Sequence, residues 1–419
     1  MFALVDAHNF YVSCERVFQP HLKHKAVAVL SNNDGCVVAR SNEVKALGCP
    51  MGAPYFKVKS LFHQHDVQVF SSNYRLYGDM SARLMSVLME MNAHCEVYSI
   101  DEAFLYFDTM QDFHALGQAI RKRVWKWLGL PVGVGFGKSK ALAKAANRLS
   151  KAYPQHFKGC CVLDDKNSDH YLKQLPIDDL WGIGWRHAKV LKAKGLKTAY
   201  DFKQAPPESI KKQVKTPGLQ LQAELWGRSC LPLIYEDADK KSICSSKSFG
   251  KPLIEKAAIA AALLKNIQHA YRKCLKQHLR ASHMMIFIHS SRYAPRPIYR
   301  RAITALDAAP FTLLSLGDQA LTLLSSCFQD RFIYHKSGVL LWGLQSASHY
   351  QASLFEADPV GAYHSKDLDR ALQRLHKRYG QQSILRASQQ QYASDTALKS
   401  QRCSPCFTSR WEDLPRVSG

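Results

Sequence analysis

Two adjacent acids, Asp101 and Glu102, interrupt an apolar and aromatic run between Tyr98 and Phe104. In one continuous strand neighbouring side chains point to opposite faces, so the two carboxylates would not share a site. A tight turn over residues 100–102 would instead direct both to one point. Because two buried like charges need a cation between them, the stretch predicts a divalent-cation site, best suited to Mg²⁺. The alternative is a hairpin tip whose acids are solvated.

A second candidate ligand lies at the amino terminus. Residues 2–5 form a short apolar run that predicts a buried strand, and this strand ends directly at Asp6. An acid that closes a buried strand is well placed to act as a ligand. The aromatic residues Phe10 and Tyr11 follow it closely. We therefore expect Asp6 to join Asp101 and Glu102 in one site.

The chain of 419 residues carries a strong positive charge. Lysine and arginine number 57 against 34 aspartates and glutamates, which gives a formal net charge of +23. This surplus indicates a polyanionic partner, and nucleic acid is the leading candidate. A membrane surface would attract the same charge, but no apolar segment is long enough to span a bilayer, and Asp6 precedes any signal-peptide core. We expect a cytoplasmic, nucleoid-associated protein that contacts no membrane.

The length of the chain predicts three or four domains, because a single core rarely grows to this size. The 12 cysteines are scattered rather than spaced as a framework, which favours reduced, buried thiols. Cys403 and Cys406 have the spacing of a metal knuckle or a redox site. No second pair accompanies them, so the sequence favours a structural role for this pair.

Predicted strands and helices alternate from the amino terminus to residue 165, with hairpin turns between them. This pattern favours an α+β domain whose antiparallel or mixed sheet could hold acids from distant strands side by side. A helix predicted over residues 140–151 places Lys140, Lys144, Arg148 and Lys151 on one face. Such a stripe is usually solvated. The overall charge favours an anion facing at least Lys151.

Two further segments suit contact with phosphate groups. Arg40 and Lys45 flank the start of a predicted helix, where backbone N–H groups favour an anion, although an exposed helix would present the same side chains to water. Gly182, Ile183 and Gly184 match the turn of a helix-hairpin-helix motif. In that motif backbone N–H groups approach a DNA phosphate because no side chain intervenes. An ordinary turn between helices is the alternative.

The carboxyl-terminal part contains a basic module and a polar tail. Residues 242–345 hold 14 lysines and arginines against 4 acids, and they predict an α+β module that grips a nucleic-acid backbone without reading its sequence. After residue 345 the chain becomes polar, which predicts a partly disordered tail. Within it, Gln351 precedes the apolar pair Leu354 and Phe355, a pattern typical of short docking peptides.

Taken together, these residues resemble the Y-family translesion DNA polymerases, and within that family the UmuC branch, which supplies the catalytic subunit of bacterial DNA polymerase V. The resemblance extends over essentially the whole chain. It rests on Asp6 and on the segments at residues 10–15, 30–37, 70–74, 98–104, 181–184 and 245–250.

The resemblance implies an α+β, multi-domain, right-hand polymerase. It implies a catalytic palm at residues 1–20 and 75–165, small fingers at 21–74, and a helical thumb with the helix-hairpin-helix motif at 166–235. It also implies a little-finger DNA-binding domain at 242–345 and a carboxyl-terminal tail with a clamp-docking peptide at 346–419. Small fingers would enclose the nascent base pair loosely, so that damaged template bases fit and fidelity falls.

The resemblance also assigns roles to individual residues. Asp6, Asp101 and Glu102 would be catalytic and hold two Mg²⁺ ions, with the Ala7 carbonyl completing one of the two metal sites. Tyr11 matches the steric gate, a ring that excludes ribonucleotides by clashing with the ribose 2′-hydroxyl. The residues expected against the incoming nucleotide are Phe10, Tyr11, Arg40, Lys45 and Lys151.

The implied function is error-prone translesion synthesis in SOS DNA repair and mutagenesis. The implied partners are primer-template DNA, dNTPs, a sliding clamp bound through Gln351, Leu354 and Phe355, a processed UmuD-like dimer, and RecA. DNA binding would use Gly182, Ile183 and Gly184. The alternatives are a two-metal nuclease and a non-catalytic DNA-binding or clamp-docking protein.

Overall fold

The computed structural model describes residues 1–108, 112–235, 239–306, 311–347, 359–380, 383–385, 387–392 and 400–414. The chain divides into two compact units. The amino-terminal unit comprises Met1–Asp237 together with Gln401–Gly419, and the second unit comprises Ala238–Ser400.

The amino-terminal unit mixes short strands with helices. Its strands are β1 (Phe2–Ala7), β2 (Val27–Leu30), β3 (Val37–Arg40), β4 (Gln68–Ser71), β5 (Cys95–Val97), β6 (Glu102–Tyr106), β7 (Val132–Gly137) and β8 (Cys160–Val162). Its helices are α1 (Phe10–Phe18), α2 (Asn42–Ala46), α3 (Tyr55–Gln64), α4 (Tyr74–Met91), α5 (Phe113–Leu128), α6 (Lys140–Ala152), α7 (Pro154–Phe157), α8 (Ser168–Leu172), α9 (Trp185–Ala193), α10 (Ala199–Gln204) and α11 (Pro207–Leu225).

A five-stranded sheet organises this unit, with strand order β5-β6-β1-β7-β8. Strand β1 lies at its centre and pairs antiparallel with both β6 and β7. All of β1 is buried because both faces of the sheet are covered. Ala3 and Val5 belong to the core that includes α4 and α5, whereas Leu4 packs in a smaller cluster with Ala143 of α6. The sequence shows one apolar run here because alternate residues face two buried sides.

Helix α6 lies unusually close to the sheet because β7 contains glycine at the crossing point. A side-chain carbon at Gly135 would overlap the backbone of Ala143 and Asn147. The helix begins after Ser139, whose hydroxyl caps it by accepting the N–H of Leu142 at 3.2 Å. The close approach fixes the helix, and with it the basic side chains that the helix carries.

Two smaller cores complete the amino-terminal unit. Strands β3, β2 and β4 form a three-stranded sheet over residues 27–71, whose core includes Leu30, Val44 and Phe62. Helices α8 to α11 form a second core with one side of α6. Helix α11 is broken at Lys215, where φ is positive, two residues before Pro217.

The second unit is an α+β layer. Its elements are β9 (Ser242–Leu253), α12 (Lys256–Lys276), β10 (Leu279–His289), β11 (Tyr299–Ala305), α13 (Leu313–Cys327), β12 (Tyr334–Ser346), α14 (Pro359–Tyr379) and α15 (Ala387–Gln391). The strands form an antiparallel sheet of order β11-β10-β12-β9, and α12 and α13 share its core. Strands β9 and β11 are not predicted by the sequence, because β9 is largely polar and two arginines interrupt the apolar residues of β11.

The tail contains more structure than the sequence predicts. Helix α14 lies within the stretch expected to be polar and partly disordered, and Asp369 anchors it by accepting hydrogen bonds from the Tyr271 hydroxyl (2.6 Å) and the Leu313 N–H (3.0 Å). Residues 401–414 pack on the amino-terminal unit. The docking-peptide segment 351–355 lies outside the described residues. The domain boundaries expected from the resemblance stay predictions.

Within the described ranges, no helix combines the length and apolar character needed to cross a bilayer.

Candidate active site

The two adjacent acids lie in a tight turn, as their sequence context predicts. The carbonyl of Glu102 accepts the N–H groups of Tyr98 and Ser99, each at 3.1 Å, and this closes the turn. Glu102 is the first residue of β6, whereas Asp101 lies just outside the strand. The alternation of side chains along a strand therefore does not separate them.

Antiparallel pairing brings the third acid to the same place. Asp6 stands directly opposite Glu102 in the register of β1 and β6, and the N–H of Ala7 donates to the Asp101 carbonyl at 2.9 Å. The structure therefore juxtaposes Asp6, Asp101 and Glu102 at one edge of the five-stranded sheet.

Burial makes this edge unfavourable for negative charge. Burial raises the pKa of Asp101, although the Ser99 hydroxyl donates to its carboxylate at 2.7 Å. Burial also raises the pKa of Glu102, and a hydrogen bond between its carboxyl and that of Asp6 raises it further. Two carboxyl groups with raised pKa values, set beside the carboxyl of Asp6, form an arrangement that a bound cation would stabilise.

Two lysines of α6 face these acids. The Nζ of Lys151 lies 2.6 Å from Oδ1 of Asp6, and the Nζ of Lys144 lies 2.9 Å from Oε2 of Glu102. The other two members of the stripe are also paired with acids, Lys140 with the buried Glu96 and Arg148 with Asp179. The stripe is thus directed at carboxylates rather than merely solvated.

Lys144 is a site residue that the sequence analysis did not single out. Its ammonium group lies 4.2 Å from the centre of the Tyr98 ring and 5.5 Å from that of Trp181. The available signal was its helical spacing to Lys151, which places the two side chains on one face. Lys144 favours the ionised form of Glu102 and lowers its pKa.

The donor set suits a hard divalent cation, because it consists of carboxylate oxygens with backbone carbonyls nearby. Among the described residues no group of three His, Cys, Asp or Glu side chains is arranged as a metal centre. In this structure the ammonium groups of Lys151 and Lys144 hold the carboxylates of Asp6 and Glu102. The residues that could ligate a metal are Asp6, Asp101 and Glu102 with the Ala7 carbonyl.

The aromatic residues after β1 lie beside the acids. Helix α1 begins after Asn9, whose φ is positive, so the chain turns sharply between the strand and the helix. Phe10 is buried, whereas Tyr11 is half-buried and its ring stacks on Tyr77 with centroids 4.3 Å apart. Burial, Tyr74 and Asp101 raise the pKa of the Tyr11 hydroxyl.

Of the three basic residues predicted to contact phosphate, Lys45 and Lys151 lie beside Asp6, whereas Arg40 is bound to a backbone carbonyl. The Nζ of Lys45 donates to the Asn9 side chain at 2.6 Å, and its pKa is lowered by burial and then by the cations Arg40 and Lys151. Lys45 and Lys151 therefore share one electropositive region beside Asp6. Arg40 instead donates to the carbonyl of Cys49.

The helix-hairpin-helix glycines lie at the start of α9. Gly182 has a φ of +83°, a conformation that favours glycine, and Ile183 is buried in the helical core. Gly184 is the residue before the helix, and no neighbouring atom lies within 4 Å of the position that a side chain would take. The turn therefore presents open backbone.

Solved structures with this fold are Y-family DNA polymerases. A Y-family DNA polymerase chimera of Dbh and Dpo4 matches with a TM-score of 0.67 at 20% identity, covering 82% of this chain and 99% of the chimera. An insertion ternary complex of Dbh DNA polymerase matches with a TM-score of 0.54 at 21% identity, over 82% of this chain and 98% of the other. The fold is thus that of a multi-domain α+β polymerase.

Sequence comparison defines the family. The model of the impB/mucB/samB family matches residues 5–148, that of its C-terminal domain matches residues 240–354, and a domain of unknown function (DUF4113) matches residues 366–417. Protein UmuC of Salmonella typhimurium is 36% identical over 100% of both chains, and protein ImpB of Salmonella typhimurium is 35% identical over 99% of both. DNA polymerase IV 1 of Bacillus subtilis is 26% identical over 91% of both.

The chain belongs to the impB/mucB/samB family, the UmuC-type branch of the Y-family translesion DNA polymerases. Its enzyme class is DNA-directed DNA polymerase, acting in translesion synthesis and SOS mutagenesis. Polymerases of this family use divalent metal ions.

We expect Lys144→Met to move the acid limb of the primer-extension pH profile to higher pH. Lys144 favours the ionised form of Glu102, so without it the carboxyl is protonated at a higher pH. The measurement is kcat/KM as a function of pH, at a subsaturating concentration of divalent metal. The pH dependence of kcat/KM reports ionisations of the free enzyme.

Arg148→Met is the matched control, because Arg148 lies one turn further along α6 and pairs with Asp179 rather than with one of the three acids. Its acid limb should not move. An unchanged limb in Lys144→Met, or the same shift in both variants, would contradict the assignment.

Proposed function

We propose that this polymerase adds deoxynucleotides to a primer at the edge of the five-stranded sheet, with Asp6, Asp101, Glu102 and the Ala7 carbonyl holding two Mg²⁺ ions. The observation that supports the proposal most directly is the register of β1 and β6, which sets Asp6 opposite Glu102 beside Asp101. When bound, the two ions would lower the pKa of the primer 3′-hydroxyl and neutralise the triphosphate and the leaving pyrophosphate.

The lysines beside the acids suit two roles. Lys151 pairs with Asp6 in this structure, and a divalent cation on that carboxylate would free its ammonium group for the triphosphate. Lys45 lies in the same electropositive region and supplies a second cation. Phosphate charge would offset the mutual repulsion of the two lysines. Arg40 would have to exchange its Cys49 carbonyl for phosphate in order to join them.

Tyr11 and Phe10 are proposed to bound the sugar of the incoming nucleotide. Phe10 is buried and fixes the start of α1, whereas the Tyr11 ring is half-exposed near Asp101. A ring held in this position would exclude a ribose 2′-hydroxyl by steric clash, which discriminates against the wrong sugar rather than recognising the right one.

DNA binding is proposed to use backbone N–H groups and the positive charge of lysine and arginine side chains. Gly182, Ile183 and Gly184 would present N–H groups to a phosphate at the start of α9. The surplus of lysine and arginine in residues 242–345 would hold the duplex backbone without reading its sequence. Such contacts suit an enzyme that meets template lesions in any sequence.

Further partners are proposed from the family resemblance. Gln351, Leu354 and Phe355 would dock on the sliding clamp, and tethering would raise the local concentration of enzyme on the template. A processed UmuD-like dimer and RecA are the expected activating partners, and the nucleoid is the expected location. Extension past an abasic site, with and without these proteins, would show which of them are required.

Replacing Asp101 by asparagine should reduce extension of a labelled primer by about a thousandfold or more, because a neutral amide cannot neutralise the metal charge. Binding of primer-template, measured by fluorescence anisotropy, should not change. Asp165→Asn is the matched control, since its carboxylate is exposed and pairs with Lys138 on the surface. Equal extension by Asp101→Asn and the parent would refute the metal assignment, and shortening of the primer would favour the nuclease alternative.

Tyr11→Ala should raise the use of ribonucleotides relative to deoxynucleotides by about a hundredfold, because removing the ring removes the clash. Single-nucleotide incorporation with dNTP and rNTP measures the ratio. Tyr293→Ala, a change at an exposed tyrosine of the second unit, should leave it unaltered. If Tyr11→Ala still refused ribonucleotides, Tyr11 would be a packing residue only.

Deleting residues 351–355 should leave unassisted extension intact and remove stimulation by the sliding clamp. The comparison is primer extension with and without loaded clamp. Ser353→Ala serves as the control within the same peptide, because the docking pattern does not depend on position 353. Undiminished stimulation of the deletion variant would overturn the docking proposal.

A further inference from the structure

The carboxyl-terminal strap, residues 401–414, is held on the amino-terminal unit by specific hydrogen bonds. The N–H of Ser71 donates to the Arg402 carbonyl at 3.0 Å, and the N–H of Arg402 donates to the Ser71 hydroxyl at 3.1 Å. The Asn73 amide donates to the carbonyl of Ser404 at 3.2 Å and to its hydroxyl at 3.0 Å. Phe407 is buried and stacks on Phe18, with ring centroids 5.1 Å apart.

The strap reaches a buried acid that the proposed chemistry does not use. Glu15 of α1 is fully buried, and burial raises the pKa of its carboxyl. Three groups donate to that carboxylate: the Tyr77 hydroxyl at 2.7 Å, the Ser404 hydroxyl at 3.0 Å and the Gln19 amide at 3.2 Å. No lysine or arginine is paired with it among the ion pairs of the described residues. A buried carboxylate of this kind depends on each of its donors.

Glu15 also connects the strap to Tyr11, the proposed steric gate. Tyr77 donates its hydroxyl to Glu15, and the Tyr77 ring is the surface on which Tyr11 stacks, with an angle of 13° between the ring planes. Tyr11 and Glu15 lie one helical turn apart on α1. The contacts therefore run from Ser404 through Glu15 and Tyr77 to Tyr11.

We propose that the carboxyl-terminal strap is part of the sugar-selecting site: Ser404, Glu15 and Tyr77 are positioning residues that hold the Tyr11 ring in place. This inference rests on the proposed role of Tyr11 and extends it to the domain of unknown function, whose matched region includes the whole strap. None of the three residues touches the reacting atoms. Losing one of their contacts lets the Tyr11 ring move and admits a 2′-hydroxyl, while the chemistry itself is retained.

The test measures the ratio of kcat/KM for a dNTP to that for the matching rNTP in the full-length enzyme. Ser404→Ala and Tyr77→Phe should each lower this ratio by about 3- to 10-fold, the effect of one lost hydrogen bond. Ser404→Thr, which keeps a hydroxyl, should have the same ratio as the parent enzyme. A purely structural role would lower both kcat/KM values equally and leave the ratio unchanged, and thermal unfolding of each variant measures any loss of stability.

Two further variants complete the design. Ser409→Ala makes the same chemical change at an exposed position of the strap and should leave the ratio at the parent value. Tyr11→Ala separates the two proposals. If Tyr11→Ala lowers the ratio while Ser404→Ala and Tyr77→Phe do not, the inference about the strap is wrong. The proposed role of Tyr11 as steric gate is then retained. If Tyr11→Ala leaves the ratio unchanged, both are overturned.

Discussion

The antiparallel pairing of β1 with β6 is the constraint on which the catalytic unit depends. It sets Asp6 opposite Glu102, and the turn before β6 adds Asp101 to the same edge. A shift of one residue in this register would turn the side chain of Asp6 to the other face of the sheet. The register is fixed by burial on both faces, since Ala3 and Val5 pack on one side and Leu4 on the other. The packing of these apolar residues on both faces of the sheet therefore holds Asp6 in its position opposite Glu102.

Helix α6 supplies the charge that this acidic edge requires. It can do so because Gly135 lets its backbone lie directly against β7. From that position Lys144 and Lys151 reach Glu102 and Asp6. The lysines pair with Glu102 and Asp6 in this structure, and they would be available to phosphate groups once a divalent cation takes their place. The same two lysines thus pair with the acids in the folded protein and, in the proposed chemistry, with phosphate groups.

The sequence was most informative where local pattern and chemistry coincide. The turn at residues 100–102, the helix over residues 140–151 and the family itself could be predicted, because each has a short-range signal in its spacing or residue types. Strands β9 and β11 could not. The residues of β9 are mostly polar, two arginines interrupt the apolar residues of β11, and the two segments become strands by pairing with β12 and β10, respectively.

The role of Lys144 and the docking of the strap were also beyond sequence reasoning. A lysine on a helix looks the same whether it faces water or an acid from a distant strand, and only the packing of α6 on the sheet decides between them. Ser404 and Glu15 are both ordinary polar residues in sequence. Their contact is visible only in the folded chain, because no local pattern records a partner so far away.

The hydrogen bond between Ser404 and Glu15 joins residues 389 positions apart. During synthesis, Glu15 of α1 emerges first, whereas Ser404, which completes its donors, emerges only after the whole intervening chain. A premature stop or frameshift anywhere in that interval would leave Glu15 without its third donor, even if every catalytic acid were translated correctly. The buried acid of α1 thus acquires its full set of donors only once the chain has been translated through Ser404.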